Sequence, residues 1–156
     1  MTQVLTSRPN ERSPAVQHEE MASSAEHALL AARVTTLENL LFILSASDLV
    51  TDLAVGANKA YLVAPFALTV VSVRATVLVA PTGAALQVDI NDGVSSILST
   101  KLTIDADETD SANAAVPAVI SDSAIASGAI ISVDIDVVGS VVAGKGLMIQ
   151  LVCTRV

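Results

Sequence analysis

Aromatic side chains are nearly absent from this sequence: it has no Trp, one Tyr and two Phe among 156 residues. Sugar-cleaving and sugar-binding clefts normally offer flat apolar platforms, so this scarcity counts against both. The single cysteine, Cys153, excludes an intrachain disulfide and a thiolate metal cluster. It falls in the alternating run Leu147, Ile149, Leu151, Cys153, which predicts a small inward-facing core residue. The only histidines, His18 and His27, lie in the other part of the chain, so no Cys–His pair for nucleophilic catalysis is expected. Basic residues are also few: eight Lys and Arg stand against sixteen Asp and Glu, a net charge of −8. Residues 48–156 hold eleven of those acids and five of the bases, which argues against a phosphate-backbone partner. No apolar run approaches the roughly 20 residues that span a bilayer, and no membrane partner is expected. The N-terminus lacks a basic-plus-apolar signal peptide, which sets the expectation of a product assembled inside the cell that makes it.

What the chain has instead is Ala, Val, Leu, Ile, Ser and Thr, with 52% of residues apolar. A core of small branched side chains suits closely approaching sheets. So large an apolar share in a chain without a membrane span predicts burial between subunits.

Three segments are expected. Residues 1–22 are polar, carry Pro9 and Pro14, and show no sustained period, which predicts an extended arm ordered on a partner surface. Residues 23–46 read as one helix. Ser23 and Glu26 fit a capping box. Beyond them His27, Leu30, Val34, Leu37, Leu41 and Leu44 recur at the spacing of a coiled-coil seam. In a parallel arrangement Arg33 meets Glu38 of a neighbour, fixing register. Leu40 to Leu44 is apolar all round, which predicts a helix end buried on every side. About three heptads are marginal alone, so the rest of the chain must add to the interface.

Residues 48–156 read as a mainly β domain. Strands are expected over Leu49–Val55, Lys59–Phe66, Leu68–Val79, Leu86–Asn91, Ile97–Ile104, Val116–Ile120, Ile131–Val137 and Leu147–Val156. Pro65 marks an edge or bend, and Pro81-Thr82-Gly83, Asp92-Gly93 and Ser127-Gly128 mark turns. About eight strands at short intervals predict an antiparallel, jelly-roll-like β-sandwich.

Three constellations carry side chains capable of chemistry. The cluster Asp105, Asp107, Glu108, Asp110 has oxygen ligands but lacks the order of a calcium loop; a solvated loop is expected. Asp89, Asp134 and Asp136 lie on polar positions of alternating strands, where a solvated or inter-subunit hydrogen-bonding face is expected over paired-carboxylate hydrolysis. Gly139 to Gly146 has neither the spacing nor the following helix of a phosphate loop and reads as a turn. No catalytic residue, metal or cofactor is therefore expected, and the chain reads as a non-enzyme.

Two blocks carry a family resemblance: Ala80-Pro81-Thr82-Gly83 with Leu86–Asn91 and Ser96–Asp105, then Pro117–Asp122 with Val133–Ser140 and Gly144–Leu147. Over roughly residues 58–156 they resemble a β-sandwich module of tailed-bacteriophage virion proteins, found in capsid decoration, head-fibre and tail-fibre proteins. The resemblance implies a trimeric structural protein of the virion, assembled in the host cytoplasm. On that basis the expected function is a capsid decoration (cement or head-fibre) protein. Its partners are then two further copies of itself and the major capsid protein or a neighbouring virion protein. The seam is Leu30, Val34, Leu37, Leu41 and Leu44 with Arg33 and Glu38; the arm's Arg8, Pro9, Arg12 and Pro14 are its candidate capsid contacts. The alternative is a tail fibre or host-adsorption protein.

Overall fold

The computed structural model describes Met21, residues 23–30 and residues 39–156. Two compact units divide at Glu38 and Asn39.

In the first unit Met21 and residues 23–30 are helical and exposed. The helix thus already includes Met21, two residues before the expected cap. Ser23 sits inside it, with its hydroxyl 3.5 Å from Nδ1 of His27 one turn on. Ser24 Oγ donates to the Met21 carbonyl at 2.9 Å, a bond typical of helix-interior serine. The expected arm contacts Arg8, Pro9, Arg12 and Pro14, and the seam residues Arg33, Val34, Leu37 and Glu38, lie outside the described residues.

The second unit corrects the far end of the expected helix. Residues Asn39–Ser45 form strand β1, so Leu41 and Leu44 are strand residues. Leu40, Phe42 and Leu44 turn toward the core while Leu41 and Ile43 face outward. The run Leu40–Leu44 is short, apolar and uncharged, and such runs suit a strand as well as a helix. Pairing settles the choice: β1 matches the last strand over seven residues, from Asn39↔Thr154 to Ser45↔Met148.

The other strands are β2 (Gly56–Val63), β3 (Leu68–Thr76), β4 (Leu86–Asp92), β5 (Ser95–Ser96), β6 (Leu98–Thr100), β7 (Leu102–Ile104), β8 (Val119–Ile120), β9 (Ala124–Ile125), β10 (Ile130–Val137) and β11 (Met148–Arg155). They are antiparallel. One sheet has the order β1-β11-β3-β9; the other has β2-β10-β4-β5, with β7 also on β4; β6 and β8 pair separately. The inward residues of both sheets form one buried cluster. Leu86, Val88 and Ile90 on β4 and Ile131, Val133 and Ile135 on β10 join Val70 and Ala75 on β3 and Ile149, Leu151 and Cys153 on β11. Fully burying one such Leu or Ile is worth about 1.5–3 kcal/mol.

The expected strand over Leu49–Val55 does not form. Asp48 Oδ1 accepts hydrogen bonds from the Val50 and Thr51 amides at 3.0 and 2.7 Å and from Thr51 Oγ1 at 2.7 Å, folding the segment into a turn. The expected strand Ile97–Ile104 is broken in two. Its first part pairs with β8 and its second with β4. Gly56-Ala57-Asn58, which lies between the expected strands Leu49–Val55 and Lys59–Phe66, begins β2. Asn58 has φ +54°, and the register with β10 shifts opposite it.

Candidate functional site

The two sheets present different outer faces. On the β2-β10-β4 face, alternation in LQVDIND sends Gln87, Asp89 and Asn91 outward, and alternation in β10 sends out Ser132, Asp134 and Asp136. Register then sets Asp89 directly opposite Asp134 and Asn91 opposite Ser132. Two carboxylates in that relation repel. Neighbours offset the repulsion. Lys101, between β6 and β7, reaches Asp136 at 2.7 Å and Asp89 at 3.3 Å. Asn91 Nδ2 donates to Asp134 at 3.0 Å, and the Asn58 amide donates to its other oxygen at 2.7 Å. Asp89 is buried and also accepts from Ser96 Oγ at 2.5 Å and the Ile90 amide at 2.8 Å.

The hydrogen bond that Lys101 donates to Asp136, and then that to Asp89, hold its ammonium above the ordinary lysine range against desolvation. A lysine so held is a poor general base near neutrality. The three acids and Lys101 therefore form a cross-braced polar face. The expected solvated or inter-subunit face is instead braced by hydrogen bonds within the chain, with Asp89 buried among them. Lys101 was not singled out from the sequence, although a signal existed: it is the only base between Arg74 and Lys145.

The acidic loop is structural as well. Asp105 accepts from the Ala115 amide at 2.8 Å, and Glu108 from Asn113 Nδ2 at 3.3 Å. Asp110 caps the short 3-10 helix Ser111–Asn113 through the Ala112 amide and forms a two-pronged pair with Arg74 of β3. Among the described residues no group of three His, Cys, Asp or Glu could hold a metal ion. The glycine-rich stretch 139–146 is a packed turn clamped by Thr82. The Thr82 amide donates to the Val142 carbonyl at 2.9 Å, its carbonyl accepts from the Val141 amide at 3.0 Å, and its hydroxyl accepts from the Val142 amide at 3.1 Å. Cys153 is fully buried, and burial pushes its thiol up, away from the reactive thiolate.

The β1-β11-β3 face is nearly uncharged. Leu41 and Ile43 stand outward on β1, beside Val152 and Gln150 of β11, with Ser72 and Arg74 of β3 beyond. The expected seam residues are thus dispersed: Leu30 lies exposed on the helix, Leu41 on this outer face and Leu44 in the core. An open groove of about 420 Å³ lies between edge strands β1 and β2, where Tyr61 is the one exposed aromatic among the described residues.

Stability should fall in acid in a defined way. The Arg74 guanidinium holds the Asp110 carboxyl below its ordinary value, helped by the Ala112 amide. The Thr51 amide, then the Thr51 hydroxyl and the Val50 amide, do the same for Asp48. Carboxyls depressed below an unfolded value of about 3.9 stabilise fully above that pH, and the contribution is lost as pH falls through the folded values. Asp110→Asn should therefore lower the urea midpoint at neutral pH, and the gap to wild type should narrow as pH falls below the unfolded carboxyl value of about 3.9. A gap that stays constant from neutral to acid pH would show that the Arg74 pair does not carry it.

These features define a mainly β protein of antiparallel sheets with one braced polar face and one apolar face. No helix of the described residues is long and apolar enough to cross a membrane. No family model, curated protein or solved structure matches the chain.

Proposed function

We propose that the chain is a structural protein of a tailed-bacteriophage virion, a capsid decoration (cement or head-fibre) protein. In this reading it trimerises with help from its N-terminal helix and binds the assembled head through residues 1–22. The observation that carries it is the strand order. With β5 and β7 taken together as the fourth strand beside β4, the orders β1-β11-β3-β9 and β2-β10-β4-β7 support reading the two sheets as a jelly roll. That double Greek key recurs in viral capsid and lectin domains. The step from fold to virion rests on the resemblance of residues 58–156, since one fold hosts many functions. The cross-bracing of Asp89, Asp134, Asp136 and Lys101 supports a scaffold role over an enzymatic one.

The mechanism is mass action: an element that binds only assembled shell stabilises the shell, and three arms on one trimer raise the effective concentration at a three-fold site. Deleting residues 1–22 should abolish co-sedimentation with the heads of the phage that encodes the chain while leaving self-association intact. Retained binding would move attachment to the β body. Copy number per particle separates this reading from the tail alternative. Decoration of a repeated lattice requires on the order of a hundred copies or more, whereas a handful with binding to host cells would make the chain a tail fibre or adsorption protein.

A further inference from the structure

We propose that the outer face of β1-β11-β3, centred on Leu41, Ile43, Val152 and Val71, is where a second copy of this chain docks. The inference rests in part on the trimer reading and adds to it the surface by which the bodies meet.

The first observation is the edge. β1 has a neighbour on one side only, and its sequence, Asn39–Ser45, holds no charged residue and no proline. Natural sheets protect exposed edges with such residues, because an uncharged apolar edge templates aggregation. β1 has neither device, and it turns Leu41 and Ile43, more than half exposed, outward beside that open edge. Register continues the apolar patch inward: Leu41 lies opposite Val152, which lies opposite Ser72, next to the exposed Val71 at the bulge of β3.

The second observation is charge. Residues 39–156 carry eleven acids and five bases, so two copies of the body repel over most of their surface. The carboxylates are not spread evenly. Asp89, Asp134 and Asp136 belong to the other sheet, while β1, β3 and β11 contain no acid at all. Arg74 is the one base midway along this face, and Asp110 already neutralises it. A basic partner would be drawn to the other sheet. A copy with the same charge can approach closely only where carboxylates are missing.

The third observation is covalent. Nine chain steps join Leu30 to Asn39. Nine steps reach at most about 30–32 Å. Helices that gather at a seam therefore hold copies of β1 at high effective concentration, so that even a weak contact between faces forms.

The test is sedimentation of the full chain across a wide concentration range. Leu41→Lys with Ile43→Lys should raise the concentration for half-dissociation about 100-fold, and Leu41→Thr with Ile43→Thr about 10-fold. Both pairs sit at exposed positions, and threonine keeps β propensity, so the urea midpoint of dilute protein should not move. Raising salt from about 0.1 to 1 M shrinks the Debye length from about 10 to 3 Å and should hold or strengthen association. A marked weakening by salt would put the contact on charged groups and overturn the proposal. An oligomer indifferent to both β1 variants but dispersed by Leu30→Asp with Leu37→Asp would overturn this face and leave the helical seam standing. Dispersal by the β1 variants alone would support the face and remove the seam. A wild-type chain that stays monomeric throughout would overturn both.

Discussion

Gly139→Ala should be the most damaging single-methyl change in the body. A Cβ built on Gly139 falls 1.9 Å from the Val142 carbonyl oxygen and 2.8 Å from the Thr82 amide nitrogen. Both obstacles are backbone, so no rotamer change relieves the clash. Making room means moving the Val142 carbonyl, and that breaks the 2.9 Å bond it accepts from Thr82. The other Thr82 bonds, to the amides of Val141 and Val142, hold the same loop and loosen with it. Overpacking together with a lost hydrogen bond should cost about 3–5 kcal/mol, a large part of the roughly 5–15 kcal/mol that holds a domain together. The control is Gly93→Ala. Gly93 has φ +61° but open space around its Cβ position, so only the left-handed strain of about 1–2 kcal/mol applies. Thermal unfolding followed by circular dichroism reads both. If Gly139→Ala melts no lower than Gly93→Ala, the Thr82 clamp does not hold the loop as described.

Leu44→Ala and Leu41→Ala should differ sharply, although a helical seam makes them equivalent. Leu44 is 6% exposed and packs in the core; Leu41 is 57% exposed on the other side of the strand. Truncating Leu44 leaves a cavity and should cost about 2–4 kcal/mol. Truncating Leu41 should change the stability of the body by no more than about 0.5 kcal/mol. Urea titration of dilute protein is the right measurement, because self-association adds concentration-dependent stability. Equal losses at the two positions would contradict the strand assignment of Asn39–Ser45.

The second comparison marks where the sequence was readable. From Leu86 onward, clean alternation in LQVDIND and ISVDIDV gave strands within a residue of those observed, because one face is core and the other polar. The Asp92-Gly93 turn was legible for a local reason: a positive φ that Gly93 meets without strain. Failures came where distant partners decide. Leu40–Leu44 fits either period, and only β11, about a hundred residues later, selects the strand. Leu49–Val55 has strand composition, but one carboxylate, Asp48, captures its backbone first. The bracing at Lys101 was invisible for a similar reason. Nothing near it in sequence shows that Asp89 and Asp136 converge there from two different strands.

The pairing of β1 with β11 also sets a schedule. The first strand of the body to leave the ribosome bonds only to the last, and β2 likewise waits for β10. Neither sheet can close until nearly the whole chain is made. Non-local antiparallel topologies of this kind fold on the order of milliseconds to seconds. Through all of synthesis the uncharged run Leu40–Leu44 has no strand to pair with, and it is the segment of the body best suited to join the wrong chain. How long that run stays unpaired is set by how quickly β11 is made.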